Sequence, residues 1–166
     1  MVLTAAHCMG GVFFVKIGSD DLNDGEVIRT RRIVIHPYYD TSNGSDAYDM
    51  ALVFLERSTS LNIPLVRVNF DNSYPTAGTS VVSMGWGDMD AGEETDEFPD
   101  ILHSVGLQVI SNNECENAKQ GGESYEGSIY DSMICTYTIG KDACQGDSGK
   151  NSSNELFVCN YLNALL

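Results

Sequence analysis

The stretch Lys141-Asp142-Ala143-Cys144-Gln145-Gly146-Asp147-Ser148-Gly149 decides the fold class. It presents one serine among glycines, with Asp147 directly before it and Asp142 six residues before it. A serine hydroxyl is a poor nucleophile near neutral pH and needs a base within hydrogen-bond reach. The chain offers three histidines, His7, His36 and His103, all upstream of Ser148. A strained G-x-S-x-G elbow, whose histidine follows the serine, is thereby excluded, and Lys150 stands where its second glycine would be. The remaining common order is histidine, then aspartate, then serine.

That order is present. Leu3-Thr4-Ala5-Ala6-His7-Cys8, Asp49-Met50-Ala51-Leu52 and Gln145-Gly146-Asp147-Ser148-Gly149 resemble the three sequence boxes of the chymotrypsin/trypsin family of serine proteases. They occur in the family's order, with 42 residues from His7 to Asp49 and 99 from Asp49 to Ser148. The resemblance covers about residues 1–149 and fades over 150–166. It implies an all-β fold: two antiparallel Greek-key β-barrels with the active site in the cleft between them.

Bulk properties agree with a globular domain. The 166 residues are enough to bury a sizeable core, and 42% hydrophobic against 20% charged content is not that of a disordered chain. A formal charge of −15 argues against nucleic acid and anionic membrane as partners. The five cysteines, Cys8, Cys115, Cys135, Cys144 and Cys159, form no C-x-x-C pair, so zinc is not expected. Disulfides would mean an oxidising compartment, and the odd count leaves one thiol over.

Along the chain, short apolar or alternating runs between polar turns read as strands. Residues 1–8 are expected to run from a strand into a helical turn carrying His7. Strands are expected at Val12–Gly18, Val27–Ile35, Met50–Leu55, Leu65–Val68, Ser80–Met84, Leu102–Ile110 and Met133–Cys135, with a further one at Leu156–Cys159. Between the first two, Ser19–Glu26 reads as a solvated acidic loop, and Asp88–Asp100 as another. Ser111 with Glu114 three residues on is a helix-start pattern. Residues 1–68 are expected to form one barrel unit with His7 and Asp49. Residues 69–79 link it to a second unit, 80–149, with Ser148; 150–166 are a divergent tail.

The resemblance implies the chemistry. Ser148 attacks a peptide carbonyl and His7 takes its proton as general base. Asp49, placed before a buried apolar run, fixes the imidazole tautomer. Asp46, in a Gly/Ser-rich loop, is the weaker rival for that role, and His36 before Pro37 and His103 are the weaker candidates for the base. The backbone N–H groups of Gly146 and Ser148 form the oxyanion hole, worth about 3–4 kcal/mol per donor. Asp142 stands where trypsin-like members carry the carboxylate that selects Arg or Lys before the scissile bond. Cys115 and Cys135 match a family disulfide. No cofactor is implied. The expected setting is extracellular, and the expected form a monomer acting on protein or peptide.

Two departures shape the alternatives. The family has a segment before the histidine box and strands after the serine box, so the chain reads as incomplete at both ends. Cys8 and Cys144 thereby lose their usual partners, and a Cys144–Cys159 bond stays open. In the family, Asp147 pairs with a freed N-terminal ammonium for which Met1 is no candidate. Two functions follow: a trypsin-like endopeptidase, or a catalytically inactive homologue that binds proteins through the old cleft. The intact His7, Asp49 and Ser148 favour the first.

Overall fold

The computed structural model describes residues 1–11, 14–40, 42, 47–89, 98–120, 123–139 and 158–159. Within them the protein is mostly antiparallel strand, arranged as two four-stranded sheets and a two-stranded ribbon.

The first sheet has the order β1-β4-β3-β2. It is built from β1 (Val2–Thr4), β2 (Phe14–Ile17), β3 (Glu26–Ile35) and β4 (Ala51–Leu55). The long β3 serves both neighbours: Glu26–Arg29 pairs with β2 and Thr30–Ile35 with β4, with a register shift between Thr30 and Arg32. One extra residue in a strand bends it and increases its twist, which lets a single strand curl round half a barrel. The β2–β3 connection needs Gly25, at φ +108°, where a Cβ would lie 2.9 Å from the Ile17 carbonyl oxygen. Ile28, Ala51 and Val53 fill the inner face.

The second sheet has the order β10-β9-β6-β5. Its strands are β5 (Ser80–Gly85), β6 (His103–Ile110), β9 (Cys135–Tyr137) and β10 (Val158–Cys159); β7 (Lys119–Gln120) and β8 (Glu123–Ser124) make the ribbon. Leu107, Val109 and Met133 are buried on its inner side. The α-helix among the described residues, α1 (Asn112–Asn117), starts where the sequence pattern predicts. Ser111 Oγ accepts the Glu114 N–H at 3.2 Å, and Glu114 Oε2 accepts the Ser111 N–H at 2.9 Å. This reciprocal cap satisfies donors a helix start leaves open. It also aims Cys115 inward, where it is joined to Cys135 and both are fully buried. Closing that 20-residue loop restricts the unfolded chain and contributes about 3 kcal/mol.

Several expectations change. The strand expected at Met133–Cys135 begins only at Cys135 and runs to Tyr137. Leu65–Val68 forms no strand; Leu65 is 89% exposed. Its β-branched composition favours strand, but a strand also needs a neighbouring backbone to bond, and none of the described sheets offers one there. The loop 19–26 is not wholly solvated. Asp21 bridges Ile101, Leu22 N–H donates to Asp100 O at 2.8 Å, and Leu102 N–H donates to Asp20 O at 2.7 Å. Trp86 Nε1 donates to the same Asp20 carbonyl at 3.1 Å, so this loop of the first sheet is fastened to the second. Asp88, read as part of an acidic surface loop, is buried, because it directly follows β5 and its continuation through Trp86 and Gly87.

Candidate active site

Topology alone brings His7 and Asp49 together. β1 and β4 are antiparallel, with Thr4 opposite Ala51. The chain leaving β1 and the chain entering β4 therefore lie at one end of the pair. His7 follows Thr4 by three residues and Asp49 precedes Ala51 by two. His7 opens a short 3₁₀ turn, His7–Met9, closed by the Met9 N–H donating to Ala6 O at 3.0 Å.

Asp49 is held from two sides. Its Oδ1 accepts the backbone N–H of His7 at 2.8 Å, and its Oδ2 is hydrogen-bonded to His7 Nδ1. The carboxylate is only 3% exposed, while the imidazole is 31% exposed. An acceptor shielded from water holds its donor more strongly than one in bulk solvent. With Nδ1–H donating to Asp49, Nε2 of the neutral ring is left as an acceptor, the arrangement a general base requires.

The backbone around Asp49 is unusual. Tyr48 has φ +60°, the left-handed region, which a bulky L-residue enters at a cost of about 1–3 kcal/mol. Met50 N–H then donates back to Tyr48 O at 2.6 Å, so Asp49 sits at the apex of a three-residue turn. Nothing in the sequence marks this, because Tyr48 is neither glycine nor asparagine. The Tyr48 ring stacks on His36, with centroids 5.0 Å apart and planes 4° from parallel, and Tyr38 meets it edge-on at 5.5 Å.

The remaining candidates fall as follows. His36 accepts the Tyr38 N–H through Nδ1 at 3.3 Å and belongs to this aromatic group. His103 starts β6 opposite Gly85 and is exposed. Ser148, Gly146, Asp142, Asp147, Cys144 and Asp46 lie outside the described residues. Beside His7, the Cys8 thiol is unpaired; partial burial, and after it the Asp49 charge, raise its pKa and keep it protonated. That disfavours Cys8 as a competing nucleophile. Among the described residues no group of three or more His, Cys, Asp or Glu side chains is placed to hold a metal ion. Nor is any helix among them long and apolar enough to cross a membrane.

Known proteins share this arrangement of chain. A family model described as Trypsin matches residues 1–151. Kallikrein-8 of Rattus norvegicus is 32% identical over 154 residues, which take in 89% of this chain and 56% of the relative. Trypsin-3 of Salmo salar is 31% identical over 154 residues, covering 89% of this chain and 60% of its own length. The solved structure of neuropsin, a serine protease expressed in the limbic system of mouse brain, superposes with a TM-score of 0.75 at 30% identity. That match covers 96% of this chain and 68% of the other. The chain thus spans under two thirds of the length of these curated relatives. Strand order, the two curled sheets and a family match that runs through all three sequence boxes agree: the chain belongs to the trypsin family of serine proteases.

Proposed function

We propose that the protein is a trypsin-like serine endopeptidase working through His7, Asp49 and Ser148. The observation that carries this reading is the His7–Asp49 contact: a buried carboxylate on Nδ1 of a partly exposed imidazole. In this mechanism Ser148 Oγ attacks the carbonyl carbon of a peptide bond as its proton passes to His7 Nε2. Asp49 stabilises the imidazolium without taking up the proton itself. The oxyanion is met by the backbone N–H groups of Gly146 and Ser148. His7 then gives its proton to the leaving amine, an acyl-enzyme remains, and water, deprotonated by the same imidazole, releases it.

Substrate preference in this proposal comes from Asp142. A carboxylate at the floor of the primary pocket draws Arg or Lys through charge-assisted hydrogen bonds. The net charge of −15 acts in the same direction at longer range. The buried Cys115–Cys135 disulfide supports an oxidising, extracellular setting. We further propose that the units 1–68 and 80–149, joined by 69–79, are the two barrel portions that flank the cleft, and that the protein acts as a monomer.

Titration with a serine-directed phosphonate tests the reading. The expected result is stoichiometric labelling of Ser148 that disappears in His7→Ala, with cleavage of peptides after Arg or Lys. Well-folded protein that takes up no label would instead favour the inactive, protein-binding homologue. Cleavage after Leu or Phe but not Arg or Lys would remove Asp142 from its role.

A further inference from the structure

His36 reaches both neighbours of Asp49. Its ring lies face to face with Tyr48, the residue before Asp49, at 5.0 Å and 4°. Its backbone N–H donates to the carbonyl of Met50, the residue after Asp49, at 2.9 Å. Tyr38 completes the support, edge-on to Tyr48 at 5.5 Å and tilted against His36 at 5.6 Å. Its own N–H holds His36 Nδ1 at 3.3 Å.

The arrangement answers a question posed by the backbone. Tyr48 at φ +60° is in a conformation a bulky L-residue leaves unless its surroundings hold it there. Extended or right-handed φ at Tyr48 would swing the following residue, and with it the carboxylate that now accepts from both His7 N–H and Nδ1. Face-to-edge and offset-stacked rings supply a directional contact of the kind needed to hold one rotamer and one φ. Tyr48 is 40% exposed, so burial of its ring is not what fixes it.

We infer that His36 and Tyr48 are positioning residues: their stacked rings keep Tyr48 left-handed and so aim the Asp49 carboxylate at the His7 imidazole. The inference rests on the proposed role of the His7–Asp49 pair in hydrolysis. Neither residue touches substrate in this scheme; each acts through Asp49.

The test compares His36→Ala and Tyr48→Ala with Tyr48→Phe, which keeps the stacked ring, and Tyr48→Gly, which enters the left-handed region without strain. The alanine variants are expected to lose roughly tenfold to a hundredfold in kcat, with KM within about twofold. Tyr48→Phe should restore the rate and Tyr48→Gly fall between. The double alanine variant should be no worse than the single ones, because one device is removed once. The readout that a merely structural role would not move is the proton NMR signal of His7 Nδ1–H, shifted downfield by its carboxylate partner. It should broaden or vanish in the alanine variants and persist in Tyr48→Phe. Folded alanine variants with an unchanged Nδ1 signal would overturn the inference, whether or not the wild-type protein hydrolyses peptides. Hydrolysis by the wild type with equal kcat in His36→Ala would overturn it too, while leaving the protease reading standing. Absence of hydrolysis in the wild type, with the signal lost only in the alanine variants, would sink the protease reading and support the positioning.

Discussion

The two four-stranded sheets have the same size and antiparallel pattern but are tied together by different chemistry. The first buries a carboxylate against an imidazole. Asp49 is 3% exposed at the head of β4, bound to His7 through two hydrogen bonds, and approached through a left-handed tyrosine. The second buries a covalent link, Cys115 to Cys135, placed by a reciprocal helix cap; Leu107, Val109 and Met133 are buried as well. A buried carboxylate is a costly way to hold a sheet, because desolvation offsets much of what its partners return. A disulfide carries no such penalty. The difference is between a sheet that orients an acid–imidazole pair and one that is anchored covalently; in the proposed mechanism both units serve the site, His7 and Asp49 from the first and Ser148 from the second.

Three experiments break or sharpen that contrast, and the largest effect belongs to the first sheet. Asp49→Asn keeps the shape but replaces a charged acceptor by an amide that no longer enforces the same tautomer of His7. In the proposed mechanism kcat falls by about 10⁴. Steady-state hydrolysis of an Arg- or Lys-containing peptide measures it, and a loss under tenfold would mean that the pair is structural only. The matching change in the second sheet, Cys115→Ala with Cys135→Ala, is expected to cost about 3 kcal/mol of unfolding free energy. Urea denaturation is the measurement. A midpoint that does not move would show that packing, not the cross-link, holds α1 to β9.

The smallest effect is one of acid stability. Glu26 starts β3 and accepts from the Thr59 hydroxyl, the Arg57 guanidinium and the Ser60 N–H, the last at 2.9 Å. These bonds, the Thr59 one foremost and Arg57 next, lower its pKa from 4.5 to about 2. A carboxylate depressed in the folded state binds fewer protons there than in the unfolded chain. Its contribution is therefore complete above its ordinary pKa and drains away as pH falls from about 4.5 to about 2. The stability gap between wild type and Glu26→Gln should shrink across that window. A gap that stays constant would show that the carboxylate charge at the β3 start contributes nothing. The disulfide in the other sheet does not titrate, so its contribution is expected to be flat over the same range.

The sequence made the fold class legible because strand signals here are local. Ala51–Leu55 and Ser80–Gly85 are short runs bounded by turn residues, and Ser111 with Glu114 is a local cap. His7 and Asp49 were also readable, since each lies in a distinctive box and the β1–β4 pairing closes the gap between them. Long-range placement was not. Leu65–Val68 has strand composition but no partner strand, and composition does not report partners. The turn at Tyr48 was invisible for a related reason: its left-handed backbone is sustained by His36 and Tyr38, rings brought to it by the fold, rather than by its own residue type. Ser148 and Asp142, the most informative letters in the chain, lie outside the described residues and remain proposals.

The bond from Trp86 Nε1 to the Asp20 carbonyl has a practical consequence. This is the only tryptophan in the protein, and it sits where the acidic loop of one sheet is fastened to the other. Its fluorescence emission is thus a built-in gauge of that junction. A red shift that precedes the loss of far-ultraviolet circular dichroism during unfolding would record the halves parting while each still holds its strands.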